Sequence, residues 1–334
     1  MTRPFLVDLG GSTEVDPLQV RDAALTAEAE GYDGVLVPET KHDPFVGATL
    51  AGAATQRIHV GTAIAVALAR NPMSTAVVAN DVQLVAHGRF ALGLGSQVKP
   101  HIEKRFSMPW SQPAARMEEY VQAVRAIQQA WATGGKLSFT GEFYAHTLMT
   151  PFFDPGPNPF GPPPIWLAGV GERMTEVAGR VADGFLCHSF TTRRYLDEVT
   201  LPALARGGRA VEVAMPSFVV LGSSQQELDA AAMATRAQIA FYGSTPSYLP
   251  VLDLHGWSGL AERLNAASRR GEWREMAAMI DDDVLSAFAV IGSPAEVAAQ
   301  LRERFGGIAT RVSFNAPYPV DPAAFGEVLA ALDA

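Results

Sequence analysis

The stretch PPPIWLAGVGERMTEVAGRVADGFLC, Pro162–Cys187, holds in one piece the pattern that the rest of the chain repeats. Ile165–Ala168 is a short apolar run without polar alternation, as expected of a parallel strand buried on both faces. Gly169-Val170-Gly171 is a turn of small residues, Arg173–Val181 reads as a helix, and Phe185–Cys187 is apolar again. Working outward, Phe5–Leu9, Gly34–Val37, Ile58–Ile64, Phe90–Leu94, Val213–Leu221 and Val312–Phe314 are runs of the same kind, which makes eight. Helical stretches separate them. Asp16-Pro17, Ser293-Pro294 and Asp321-Pro322 each place a capping side chain before a proline at the first helical position. The first of these helices is expected to bury Leu18, Ala24, Leu25 and Ala29 and to end at Gly31. Met73–Val85, Met117–Trp131 and Thr191–Leu204 supply others. Eight strand–helix units predict a single-domain (β/α)8 barrel over residues 1–334. The alternative is a doubly wound open sheet with a second domain. Two stretches break the rhythm, Gln97–Pro164 and Gly222–Gly292, and in a barrel both are insertions after strands four and seven, at the carboxyl face where active sites sit.

Composition narrows the function. Of 334 residues, 48% are hydrophobic and 18% charged, which suits a folded core. Lys and Arg number 26 against 35 Asp and Glu, a net charge of −9, which argues against a nucleic-acid partner. The lone Cys187 excludes an internal disulfide and a cysteine zinc site. The opening MTRPFLVDLGG has no apolar signal core, and the longest apolar run, Ala63–Ala69, is far too short to span a bilayer. A cytoplasmic protein with no membrane partner is the expectation. Seven histidines form neither H-x-H nor H-E-x-x-H, so no metal site is expected.

Polar residues that follow a barrel strand point into its mouth. Glu39-Thr40-Lys41-His42-Asp43 after strand two are therefore candidates, beside the plainer reading of a solvated loop with a helix N-cap. Gly169–Gly171 opens a helix, where bare N–H groups and the helix dipole attract an anion, and Arg173 offers a charge. A ligand-free tight turn is the plainer reading there. His101, Glu103, Lys104, Arg105 and Trp110 lie in the strand-four insertion and suit either a substrate clamp or a surface segment. Arg116 and Glu119, three apart on a helix, are expected to form a structural ion pair.

DGVLVPET (Asp33–Thr40), RIHVGTAIAVALARNP (Arg57–Pro72), GRFALGLGS (Gly88–Ser96), the stretch quoted first, and AFAVIGSPAEVAAQL (Ala287–Leu301) occur in one order along nearly the whole chain. Together they resemble the luciferase-like monooxygenase superfamily, in particular its coenzyme F420-dependent oxidoreductases. ETKHDPF and KRFSMPW are similar to one subgroup of these. The resemblance implies an insertion-bearing TIM barrel with a deazaflavin or flavin at its mouth and, as in many members, a homodimer. It implies a cis peptide at Ala63-Ile64 against the back of the ring system. It places coenzyme contacts at Glu39, Thr40, Ser96, Ala168, Gly169, Val170, Gly171 and Glu172, and Arg173 joins them for its charge at the helix start. His42, Glu39 and His101 are the candidates for proton transfer, histidine because it titrates near neutral pH.

One departure stands out. F420-dependent sugar-phosphate dehydrogenases carry a glutamate two residues after the strand-four hydroxyl residue, whereas Val98 stands there in this chain. A sizeable, partly apolar or aromatic organic substrate is expected instead, walled by Gln97–Trp110 and Tyr242–Trp257, with Phe106, Met108, Trp110, Tyr242, Tyr248 and Trp257 as candidates. The coenzyme F420 reading has two rivals. One is an FMN-dependent monooxygenase with a partner reductase, and the other a non-catalytic flavin-binding barrel. Gly169→Val is expected to remove coenzyme affinity with little effect on the fold.

Overall fold

In the computed structural model, which describes residues 3–10 and 16–334, each of the eight apolar runs forms a strand. They are β1 (Leu6–Leu9), β2 (Gly34–Val37), β3 (His59–Thr62), β4 (Phe90–Gly95), β5 (Ile165–Ala168), β6 (Gly184–Leu186), β7 (Glu212–Leu221) and β8 (Arg311–Asn315). All pair in parallel with their neighbours. Val35 lies beside Val60, Val60 beside Phe90, Leu92 beside Ile165 and Leu167 beside Phe185. Phe185 pairs with Val213, Met215 with Val312, and Val312 with Val7, which closes the ring as a barrel rather than an open sheet. Met1, Thr2 and the start of the first β-to-α connection (11–15) lie outside the described residues.

Unbroken apolar runs are what such strands need, because one face meets the helices and the other the barrel interior. Val7, Val60, Leu92, Ile165 and Val312 are each no more than 1% exposed. The interior itself is sparsely filled. Ala91, Trp166, Leu186 and Ala214 form a small inner cluster, and much of it is alanine. Arg311 and Asp8 complete the floor. Arg311 Nε donates to Asp8 Oδ2 at 2.8 Å and Nη2 to Oδ1 at 2.5 Å, and the guanidinium lies 5.6 Å from the centre of the Trp166 ring. Gly34 makes room for this pair, since a Cβ there would stand 2.3 Å from Asp8 Oδ1.

Most helices start where their caps predict. Pro294–Phe305 has a complete capping box of Ser293 and Glu296, and Pro322–Asp333 is capped by Asp321, which accepts from Ala323 N–H at 3.0 Å. The first helix differs. It runs Val20–Glu30 and begins three residues beyond Pro17, because Asp16 spends its acceptors on a turn at Leu18 and Gln19. Val20, Ala24 and Ala27 are its buried residues, while Leu18 is 87% exposed and Ala29 is exposed too. Gly31 ends it in the left-handed conformation at φ 89°.

Pro44–Ala54 is a helix capped by Asp43, as the plainer reading of that stretch had it. Ala289–Gly292, which the sequence pattern left inside the second insertion, is a further parallel strand paired with the carboxyl end of β7. The segment after β7 folds into the helices Gln225–Gly243, Leu249–Leu254, Ser258–Arg270, Trp273–Ala278 and Asp282–Phe288. These have a core of their own with Phe190 and Phe218, in which Phe190 stacks on Phe288 at 4.5 Å. The insertion after β4 holds the long helix Pro113–Thr133 and a small hairpin, Phe139–Thr140 with Ala145–His146. Arg116 and Glu119 are not an ion pair. Arg116 donates to Tyr144 Oη and Pro109 O, while the Glu119 carboxylate accepts the N–H groups of Glu142, Phe143 and Tyr144, so both staple the hairpin to the helix.

No described helix is long and apolar enough to cross a membrane, and no described cluster of His, Cys, Asp and Glu is fit for a metal ion.

Candidate active site

A cavity of about 820 Å³ opens at the carboxyl ends of the strands. Its rim begins where β3 stops. Thr62 Oγ1 donates to Gly93 O at 2.7 Å and accepts from Gly93 N–H at 2.9 Å, which braces β3 against β4. Only glycine permits this approach, for a Cβ on residue 93 would sit 1.8 Å from Thr62 O. Beyond the brace the Ala63-Ile64 peptide bond is cis, in agreement with the resemblance. Strand order resumes at Ala65-Val66, which pairs with Leu94-Gly95. Ala63 and Ile64 line the cavity, as does Ser96, whose hydroxyl donates to Gln97 O at 3.1 Å.

Glu39 has a different place from the one expected. Its carboxylate accepts Val66 N–H at 2.7 Å and pairs with Arg70 Nη1 at 2.5 Å, and its N–H donates to Ile64 O at 3.2 Å. Burial works against the charge of Arg70, but Glu39 and Asp43 more than offset it and hold its pKa above the ordinary value. Glu39 is thus a strut behind the 64–66 segment and does not line the cavity. Thr40, His42 and His101 are exposed and off the lining as well, and Thr40 O accepts from Arg105 Nη2 at 2.7 Å. The structure brings none of the three proton-transfer candidates to the cavity wall.

The turn after β5 does reach it. Ala168, Gly169, Val170 and Gly171 all line the cavity, and the helix Glu172–Val181 starts directly behind them. The N–H groups of Val170, Gly171, Glu172 and Arg173 have no acceptor within the described residues. Four bare donors at a helix start are a ready seat for a phosphate oxygen. The two glycines differ. A Cβ on Gly169 would crowd Met174 at 3.0 Å and Phe185 at 3.2 Å, whereas nothing lies within 4 Å of one on Gly171. Gly169→Val would therefore disturb packing, contrary to the expectation of an unchanged fold. Glu172 and Arg173 are exposed and do not line the cavity, and Glu172 is paired with Arg206.

Of the expected substrate walls, Gln97, Val98, Trp110, Tyr242 and Tyr248 line the cavity. Phe106 and Met108 pack on the main core instead, and Trp257 stacks on His255 at 4.4 Å. Lys99, within the expected Gln97–Trp110 wall, lines it too, and so do Cys187 and His188, which sequence reasoning passed over. Burial pushes the Cys187 thiol up to about 12, so it is inert as a thiolate source. His188 follows β6 directly, the same position after a strand that singled out Glu39. Its Nδ1 accepts Phe190 N–H at 3.0 Å, and Nε2 lies 3.0 Å from Tyr248 Oη. Burial lowers its pKa to about 4, so the ring is neutral at pH 7.

That depression has a sign for stability. The unfolded chain takes up a proton on this residue near pH 6.5, whereas the folded chain resists until about pH 4. The contribution is complete above pH 6.5 and is lost as pH falls to 4, by roughly 3 kcal/mol. Urea unfolding of wild type and His188→Gln across that range should show the wild type losing this much more. Parallel curves would mean that His188 does not carry the dependence.

Comparisons with known proteins agree with the fold. The profile of the luciferase-like monooxygenase family matches residues 3–311. An uncharacterized protein of Mycobacterium tuberculosis is 50% identical over 311 residues, covering 91% of this chain and 92% of its own. An F420-dependent glucose-6-phosphate dehydrogenase of Beutenbergia cavernae is 31% identical over 60% of this chain and 62% of its own. Among solved structures, the coenzyme F420 dependent tetrahydromethanopterin reductase of Methanopyrus kandleri superposes over the whole chain and 99% of its own with a TM-score of 0.79 at 19% identity.

Proposed function

This chain belongs to the luciferase-like monooxygenase family, and we propose that within it the protein is an oxidoreductase that uses coenzyme F420 and a partly apolar organic substrate. The observation that carries the reading is the turn Ala168–Gly171. It presents unpaired N–H groups at a helix start to the same cavity that the Ala63-Ile64 segment lines. Names among the relatives support F420 over other coenzymes.

The residues fit such a group. Val170, Gly171 and the first turn behind them would hold a phosphate, and Ala63 and Ile64 would back a planar ring. Once bound, F420 supplies hydride chemistry at its deazaflavin ring. The chain's own contribution is orientation and exclusion of water. Leu36, Ile64, Trp110, Met174 and Leu186 give an apolar wall in which polar contacts are strengthened. Val98 in place of a carboxylate, and Arg311 already matched by Asp8, speak against a sugar phosphate as substrate.

Titration with F420, followed by its fluorescence, tests the reading. Saturable binding in the micromolar range with FMN unable to displace it is expected. Tight FMN binding and no response to F420 would transfer the protein to the flavin monooxygenases. Failure to bind either would favour a non-catalytic barrel.

A further inference from the structure

The far wall of the cavity holds a hydroxyl that the fold leaves without an acceptor. His188 Nδ1 accepts a backbone hydrogen bond from Phe190 N–H at 3.0 Å, so its lone pair is taken. In a neutral imidazole the proton must then be on Nε2. Nε2 lies 3.0 Å from Tyr248 Oη, which fixes the direction of that contact: the ring donates and the tyrosine oxygen accepts. The proton of Tyr248 itself is left over, and no acceptor in the described residues meets it. Both side chains line the cavity. The arrangement is held rigidly. His188 packs edge-on against Tyr242 at 4.7 Å and beside Tyr248 at 4.7 Å, and Phe190 touches both tyrosines.

We propose that Tyr248 is the hydrogen-bond donor for a carbonyl oxygen of the substrate and that His188 positions it. A fixed O–H in an apolar, aromatic wall is matched by an acceptor oxygen, not by a cation or a second donor. Its hold tightens as negative charge gathers on that oxygen during reduction of the adjoining carbon. The His188 hydrogen bond strengthens the donor by drawing charge toward the tyrosine oxygen. Burial raises the Tyr248 pKa, which keeps the phenol protonated. The assignment rests on the cavity being the site of hydride transfer.

The test uses 4-(dimethylamino)cinnamaldehyde, whose absorption moves to the red when its carbonyl oxygen accepts a hydrogen bond. Wild type should shift it. Tyr248→Phe should lose most of the shift with affinity for the aldehyde changed less than about threefold. His188→Gln, which keeps a donor, should retain at least half of the shift that His188→Leu loses. No shift in wild type, or an equal shift in Tyr248→Phe, overturns the donor. Equal shifts in the two His188 variants overturn its positioning role. F420 fluorescence titration of the same samples separates the two readings. Absent F420 binding with a Tyr248-dependent shift would sink the coenzyme assignment and leave the donor standing, and the reverse result would do the opposite.

Discussion

Gly171→Val is expected to weaken F420 binding about 100-fold, read by fluorescence titration, with the unfolding midpoint almost unchanged. Residue 171 has φ −89° and ψ 153°, a conformation open to valine, and a Cβ there meets nothing within 4 Å. The fold therefore tolerates the change. The cavity does not, because the new side chain would stand in front of the bare N–H groups of the turn. Hydrogen bonds from such donors to a charged oxygen are worth about 1.5–3 kcal/mol each, and a loss of about 2.7 kcal/mol is 100-fold in affinity. Gly169→Val makes the contrast. It should lower both affinity and stability, since Met174 and Phe185 must move. Unchanged affinity in Gly171→Val would show that the phosphate sits elsewhere.

Asp8→Ala is expected to destabilise the protein by about 3–5 kcal/mol in urea unfolding, because it leaves the Arg311 guanidinium buried without its partner. Asp8 is 1% exposed and Arg311 4%. Burial works against the Arg311 charge, and the hydrogen bonds and attraction of Asp8 offset this and hold its pKa above the ordinary value. The double change Asp8→Ala with Arg311→Met should recover at least half of the loss, since an apolar pair avoids the desolvation of two ions. A single-variant cost below about 1 kcal/mol would mean that water or relaxation replaces the partner.

The barrel was legible because a strand buried on both faces leaves an unmistakable mark, an apolar run of a few residues between polar turns. The misses have local causes. Ala289–Gly292 continues without a polar break from the helix Asp282–Phe288, so apolarity alone cannot mark the change from helix to strand. Pro44–Ala54 carried its signal at Asp43-Pro44, the same pair that marked the last helix, but a cap marks only where a helix starts and leaves its length unread.

The site divides along similar lines. Ala168–Gly171 reaches the cavity because small backbone-rich turns act where they stand. Charged side chains do not. Glu39 turns to Arg70, which is 31 residues further on, and no spacing rule foretells that bond. His188 and Tyr248 meet across 60 residues, through an insertion whose own core sets the distance. Position after a strand marks a mouth residue; the direction of its side chain is decided by partners far away in sequence.

The ion pair on the cavity floor joins residues 303 apart, β1 to β8. A ribosome adding about 5–20 residues per second needs roughly 15–60 s to pass from the one to the other. For all of that time Asp8 is made and Arg311 is not. A barrel still lacking β8 would be an open sheet with β1 as one exposed edge, able to pair with a neighbouring chain. The floor of the cavity is thus completed only when the eighth strand has been made. Until then solvent or a chaperone must cover the seam, and slowing translation just before β8 should raise aggregation more than an equal pause in the middle of the chain.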